Sequence, residues 1–574
     1  MRNFQLSALM LIVVLTFFPQ HAQAQKSSQN PDNDSPMREK AYTVLESLAG
    51  QLNTLQSAEN RARISANIAE SLWKRDETRA RALFLLVQQD IQSRLVIPDN
   101  LDDPKQRQTF LVFLKLRSDT LERIIKYDAE LAFSFFKATQ VDLEKLPDYL
   151  VHDARNLDAR LSQKLAANNP EVAVRLARLS LARGFSPDLF MTLTHLNRKH
   201  KQHAMVLYKQ IVQKLRTADF KEDYMARQFV SNLAYFFQPP MIDELAFRDF
   251  AGFVVATAGA NGCDGKVTED NGDVCQWIGS VLASVEKFDP RVAGVKRRAP
   301  QYDEHGPERR IAAIQAEVYT VANEGTVDDV LALAEKYPDV ANEISWTAFK
   351  MMMDAGDLDR MRKIAENFKG DPDDRQRLLD EVAKTRREAT FDEEQLAKLQ
   401  AKLNETPKVE DRVLLLMSAA YRAGASNRKM ALQLTNRAEQ VVETMVPGKE
   451  QSINQIGLAV LYCLEKDDRG FAIMEALVPK LNSLVDAAVK LDGFDTSYLR
   501  EGEWNMSAGG HVGDLLTHLA KASEFFAWSD FERAMSLAAQ FERTEIRMMA
   551  QLKLAQGILA GPHKRKLVGV IEFR

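Results

Sequence analysis

The sequence predicts an all-α fold of stacked helical hairpins, and three observations carry that reading. A cap-and-contact spacing recurs along the chain, apolar residues keep a helical period almost throughout, and no β-rich block interrupts the series. The spacing places Asp or Asn first, Ala four residues on and a large apolar residue seven on. It occurs at Asp76/Ala80/Leu83, Asp128/Ala132/Phe135, Asn169/Ala173/Leu176, Asn427/Ala431/Leu434 and Asp530/Ala534/Leu537. Ordinary residue usage would give roughly one or two such matches. Looser copies start at Thr326 (Val330, Leu333, Ala334) and Asp357 (Met361, Ile364, Ala365), and 357–368 agrees over its length with 530–541.

Each part of the spacing has a physical role. The Asp or Asn is placed to accept the unpaired N–H groups of a first helical turn, while the Ala and the apolar residue share one face. Where a second Ala follows, at Ala177, Ala365 and Ala538, that face is small as well as apolar, so a neighbouring helix can approach closely. The unit therefore reads as the second helix of a packed hairpin. The gaps of 41 residues (128 to 169) and 31 residues (326 to 357) are each close to one hairpin.

With first-helix stretches such as Ile64-Ser-Ala-Asn-Ile68-Ala69-Glu-Ser-Leu72, these units resemble the tetratricopeptide-like class of α-solenoids. The chain lacks that class's regular Trp-Leu-Gly-Tyr first helix, terminal Pro and fixed period. The resemblance implies a superhelix of helix-turn-helix pairs.

In chain order, Arg2, the apolar run Leu6–Phe18 and Ala22-Gln-Ala24 predict a signal peptide over 1–24, cleaved after Ala24. That run is shorter than the roughly 20 residues a spanning helix needs. A polar, flexible lead is expected over 25–36. Helical periodicity then predicts segments at 37–55, 60–74, 77–94, 105–126, 129–140, 143–167, 170–184, 187–216, 223–238, 241–257 and 274–288, resuming from 308 to about Leu559. Charge, Gly and Pro over 291–307 predict a linker between helical-repeat regions at 37–290 and 308–562, with a tail at 563–574 whose stretch Leu567–Phe573 alone looks strand-like. A second interruption, Lys490–Gly510, carries four glycines with Tyr498 and Trp504. A long loop in a helical array is a natural place for function.

Composition excludes several partner classes. With 76 Lys plus Arg against 80 Asp plus Glu the net charge is −4, so no global field points to nucleic acid or an anionic membrane. The basic runs 296–298 and 563–566 are short, lack interleaved aromatics and read as loop charge. No later apolar segment is long enough to span a membrane; the longest candidate is Gly252–Ala260.

Of the three cysteines, Cys263 and Cys275 bracket a short polar loop and are expected to form a disulfide in an oxidising compartment, leaving Cys463 in an apolar helix. A calcium reading of the loop from Asp264 fails, because Lys266, Glu269 and Cys275 occupy the positions that need a ligand, Gly and Glu. Catalytic motifs are absent: there is no zincin helix, no nucleophile elbow and no phosphate-binding Gly loop. Ser284 and Lys287 match Ser-x-x-Lys without its companions. His195, His200 and His203 read as a basic surface helix. His511, Asp514 and His518, at i, i+3 and i+7 after Gly509-Gly510, form the one stripe that could hold a metal or a proton-transfer pair. The plainer reading makes Asp514 a first-turn residue and both imidazoles half-exposed.

These readings predict an exported periplasmic or extracellular scaffold that presents a surface to a protein or peptide, with no cofactor implied. The alternatives are an envelope enzyme using the Lys490–His518 region, or a structural envelope component.

Overall fold

The structure is a computed structural model. It describes residues 35–143, 146–263, 272–292 and 314–561, the last stretch without 316, 320, 323–324, 356, 369–370, 390, 495 and 508. The predicted signal peptide, most of the lead, nearly all of the linker, the loop 264–271 and the terminal tail lie outside the described residues. The first described helix is Ser35–Gln51.

Apart from one small hairpin the described residues are helical, and most helices pack on a sequence neighbour. The recurring spacing marks second helices, as the sequence implies. Asp76, Asp128, Asn427 and Asp530 each accept a first-turn backbone N–H, from Arg79, Leu131, Met430 and Arg533. Asp357 caps through Arg360, and Thr326 with Asp329 forms a reciprocal capping box. Asn169 occupies the N-cap of Pro170–Arg183 without a side-chain bond, since Pro at the first turn already removes one donor. The alanines at 80, 132, 173, 431 and 534 are all buried, as are their apolar partners. The pair Ala58–Leu72 and Glu77–Arg94 shows the unit: Ala62, Ile64, Ala66, Ile68, Ala69 and Leu72 face Ala80, Leu83, Phe84 and Val87.

Because the caps repeat, a single one measures their worth. Asp530→Ala is expected to destabilise the protein by about 1 kcal/mol, read as a lower denaturant midpoint, whereas Asn169→Ala should leave the midpoint near its wild-type value because Asn169 makes no capping bond.

Two expected helices are each divided. The segment expected over 143–167 is Asp148–Arg155 and Leu157–Leu165, meeting at Asn156. That expected over 187–216 is Pro187–Lys199 and Lys201–Leu215. The core positions Leu189, Leu193, Leu196, Ala204, Leu207 and Ile211 keep an unbroken helical period through this second break, so periodicity alone hides it. His200 falls on the apolar face, leaves helical geometry (φ −136°, ψ 60°) and uses its imidazole on the carbonyl of Ala167 at 2.9 Å.

The cores are not laid out in chain order. Residues 314–382 form one apolar cluster and 391–461 a second, but a third is shared by residues 41–292 and 453–558. The last helices return to the first: Thr544–Ala560 packs on both Ser35–Gln51 and Ala58–Leu72. Among the described residues no helix is long and apolar enough to cross a membrane.

Cys263 and Cys275 are buried, with their sulfurs 2.05 Å and their Cα atoms 5.2 Å apart. Thiol titration of the denatured, unreduced protein is expected to find one reactive thiol; three would mean that the pair is reduced. The remaining thiol, Cys463, is 3 % exposed, and burial pushes it up to about 12, which makes it an inert core residue.

Candidate functional site

The region from Lys449 to Ser529 contains the Lys490–His518 segment and two helices that begin at glycine. Lys449–Leu464, Arg469–Lys490 and Gly510–Ser529 pack as three neighbouring helices, the first and third running the same way with their N-termini at one end. Both of these helices start from a glycine, Gly448 and Gly509, and neither has a capping side chain. Gly510 has φ +77°, and a Cβ there would lie 3.2 Å from the Tyr498 hydroxyl, so the turn into the third helix needs glycine.

Between the second and third helices, Leu499–Arg500 and Glu503–Trp504 form a small antiparallel hairpin. Its two turn residues, Glu501 (φ 53°) and Gly502 (φ 82°), both lie in the left-handed region that a two-residue hairpin turn demands. Glu501 holds that conformation while its carboxylate accepts the Ala58 N–H at 2.9 Å and pairs with Arg94.

The hairpin latches the end of the chain to its beginning. The buried Glu503 carboxylate accepts the backbone N–H groups of Gln56 (2.7 Å) and Ser57 (3.1 Å) and the Asn60 side-chain amide (3.1 Å). It therefore sits at the positive N-terminus of Ala58–Leu72. Glu59, also fully buried, is held by Arg63 (2.9 Å), Ser507 (2.6 Å) and Arg500. Glu545 accepts from the Trp504 N–H and from Arg543, each at 2.6 Å. Buried carboxylates are tolerable only with such partners, and each of these three has at least two. Trp504 is buried and stacks on Tyr498 at 5.4 Å.

Beside this latch, Glu70 pairs with Arg123 and with Lys126 (2.8 Å), while Lys553 donates to Gln556 and Gln556 to Asn67 and Ser71. Burial holds the Lys553 ammonium below its usual range, with Arg123 adding to the effect. These polar groups join helices from the two ends of the chain.

The predicted stripe divides. His511 is exposed at the helix start, Asp514 is engaged by Lys449 (2.6 Å), and His518 is 9 % exposed with an Nδ1 that has no hydrogen-bond partner. Burial lowers the His518 pKa, with Lys521 adding to that and Asp514 opposing it. The half-exposed reading of both imidazoles is thus corrected: only His511 faces water. Among the described residues no three His, Cys, Asp or Glu side chains are grouped to hold a metal. The first turn of Lys449–Leu464 also carries a contact that no sequence motif marks: Lys480 donates to Ser452 at 3.1 Å, and Ser452 donates to the Gly448 carbonyl at 3.0 Å. Ser452 is 1 % exposed, which removes it from any substrate. No spacing rule links Ser452 to a lysine 28 positions on, so only the helix packing reveals the pair.

The other motifs resolve structurally. His195 belongs to the core and not to a surface helix, and burial lowers it to about 4. Ser284 and Lys287 line an open surface depression of about 400 Å³ with Gln238, Ala283 and Glu286, the Lys287 ammonium lying over the Phe288 ring.

No protein-family model matches the chain, and no curated protein matches it. A solved structure described as a circular tandem repeat protein with novel repeat topology and enhanced subunit contact surfaces is similar at 12 % identity, over 92 % of this chain and 96 % of that one. The TM-score is 0.14, too low to superpose the two folds. The class is therefore defined by the chain's own helices: among the described residues they form an array of neighbouring, packed helical hairpins.

Proposed function

We propose that the protein is an exported helical-repeat scaffold that binds a protein or peptide partner in the cell envelope. The observation that carries this reading is the hairpin array itself. Each unit buries its small apolar face on its neighbours, which leaves a succession of outward helix faces and hairpin ends as extended surface. Export is supported by the N-terminal leader pattern and by the buried pair Cys263 and Cys275. Within the Lys490–His518 region, which the alternative enzyme reading uses, the hairpin serves as the latch: Asp492 accepts the Tyr498 and Leu499 N–H groups, and Glu501 and Glu503 hold the N-terminal helices.

The test uses the immobilised mature protein as bait in an envelope extract. A partner retained saturably, and displaced by excess soluble mature protein, is expected. Retention that neither saturates nor yields to competition would overturn the scaffold reading.

A further inference from the structure

The two ends of the chain make one repeat unit between them. In the pair Ala58–Leu72 and Glu77–Arg94 the second helix follows the first directly along the chain. Thr544–Ala560 and Ser35–Gln51 also pack together, but no covalent turn joins them. They run antiparallel, as the helices of a hairpin do. Arg38, near the start of Ser35–Gln51, donates to the Leu559 carbonyl near the end of Thr544–Ala560 at 3.3 Å. At the opposite end, Gln56 and Glu545 are brought together by Glu503 and Trp504 of the small hairpin. Ala58–Leu72 runs parallel to Thr544–Ala560: Ala58 meets Glu501 at one end, and at the other Asn67 and Ser71 each accept the Gln556 amide at 3.3 Å. It stands in the same way to Pro104–Ile124, whose last-turn Arg123 pairs with Glu70. Packing thus passes from the C-terminal helices to the N-terminal ones as it does between covalently successive units, and the break in the chain falls inside a hairpin.

Both core and polar contacts cross this joint. Ala41, Leu45 and Leu48 on Ser35–Gln51 and Leu552, Ala555 and Ile558 on Thr544–Ala560 are buried members of one apolar cluster. Parting the two helices would return those faces to water. Around them, Glu503 takes its donors from 56, 57 and 60, Asn60 also donates to the Trp504 carbonyl at 2.9 Å, and Arg500 and Ser507 hold the buried Glu59. Two more exposed ion pairs, Lys40 with Glu532 and Arg94 with Glu501, complete the joint. Each of these contacts links a residue before the 293–313 connection to one after it. Parting the halves would leave buried carboxylates and amides without partners, which is the costliest kind of polar loss.

We infer that this joint is a complete interaction surface whose partner is the other half of the chain: residues 35–292 and 314–561 stay bound to each other, as a two-chain array, when the chain is cut between them. The halves are held by the split hairpin and the latch rather than by their covalent connection, so the array tolerates cleavage there. This is independent of the partner-binding reading, which concerns the outward surface of the array.

The experiment uses the full protein with a site-specific protease sequence placed within 293–313. It is cut to completion and passed over a size-exclusion column at about 1 µM, so that co-elution reports an affinity of that order or tighter. The cut halves should elute together at the volume of the uncut protein and keep its helical circular dichroism. Glu503→Ala should weaken the pairing of the cut halves about a hundredfold or more, read from a dilution series. Lys40→Glu combined with Arg94→Glu reverses both exposed pairs and should weaken it about tenfold, and adding Glu532→Lys should recover part of that loss. Were the Glu503 variant unfolded before cutting, the exposed variants still decide. Separate elution of the two halves of the wild type would overturn the inference, as would loss of helical signal on cutting. Co-elution that neither Glu503→Ala nor the exposed variants weaken would also overturn it, because the halves would then be held elsewhere.

Discussion

Replacing Glu503 with Ala is expected to destabilise the protein by about 3 to 5 kcal/mol. The carboxylate is 8 % exposed and accepts three hydrogen bonds, from two backbone N–H groups at 56–57 and from Asn60. Its loss leaves three donors without an acceptor at a helix N-terminus, and the Asn60 side chain already has its oxygen unpartnered. Glu503→Gln retains one acceptor oxygen and should fall between wild type and Ala. Urea unfolding followed by the fluorescence of buried Trp504 measures both. A shift of the Ala variant by less than about 0.5 kcal/mol, the usual range of surface changes, would show that the latch does not hold in solution.

Gly470→Ala is expected to lower stability by about 1 to 3 kcal/mol through overpacking. A Cβ at 470 would lie 2.6 Å from the Ala459 carbonyl oxygen and 2.6 Å from the Cys463 sulfur. Backbone on one side cannot yield, so Lys449–Leu464 and Arg469–Lys490 must separate. Adding Cys463→Ala removes the sulfur and should recover part of the loss but not all, because the Ala459 oxygen remains. Full recovery would place the whole strain on the thiol and contradict the close helix approach.

The helices were legible because capping and packing are local. Asp76, Asp128, Asn427 and Asp530 are read from a fixed spacing to Ala and Leu, and the same residues cap and bury in the structure. The break at His200 was hidden, since the apolar period runs through it and only the reach of the imidazole to Ala167 reveals the turn. The hairpin at 499–504 carries a weak local signal, Glu501-Gly502 between Leu499 and Trp504, because Glu is a poor left-handed residue. Its purpose lay wholly outside local reach: the partners of Glu503 are about 446 residues away in the chain, and no periodicity encodes that pairing. The His511/Asp514/His518 stripe was read correctly as a helix register, but which imidazole is buried depends on the neighbouring helix Lys449–Leu464, and the Lys449 contact to Asp514 was invisible for the same reason.

The protein is a helical-hairpin array whose last described helices close on its first ones. Amide hydrogen exchange tests that closure most directly, at the N–H groups of Gln56, Ser57 and Ala58. These three lie in the connection and first turn where no intrahelical acceptor serves them, so their only acceptors are Glu503 and Glu501. The account predicts slow exchange at all three in the wild type and fast exchange at Gln56 and Ser57 in Glu503→Ala. Fast exchange at these amides in the wild type, with the interior of Ala58–Leu72 still protected, would contradict it.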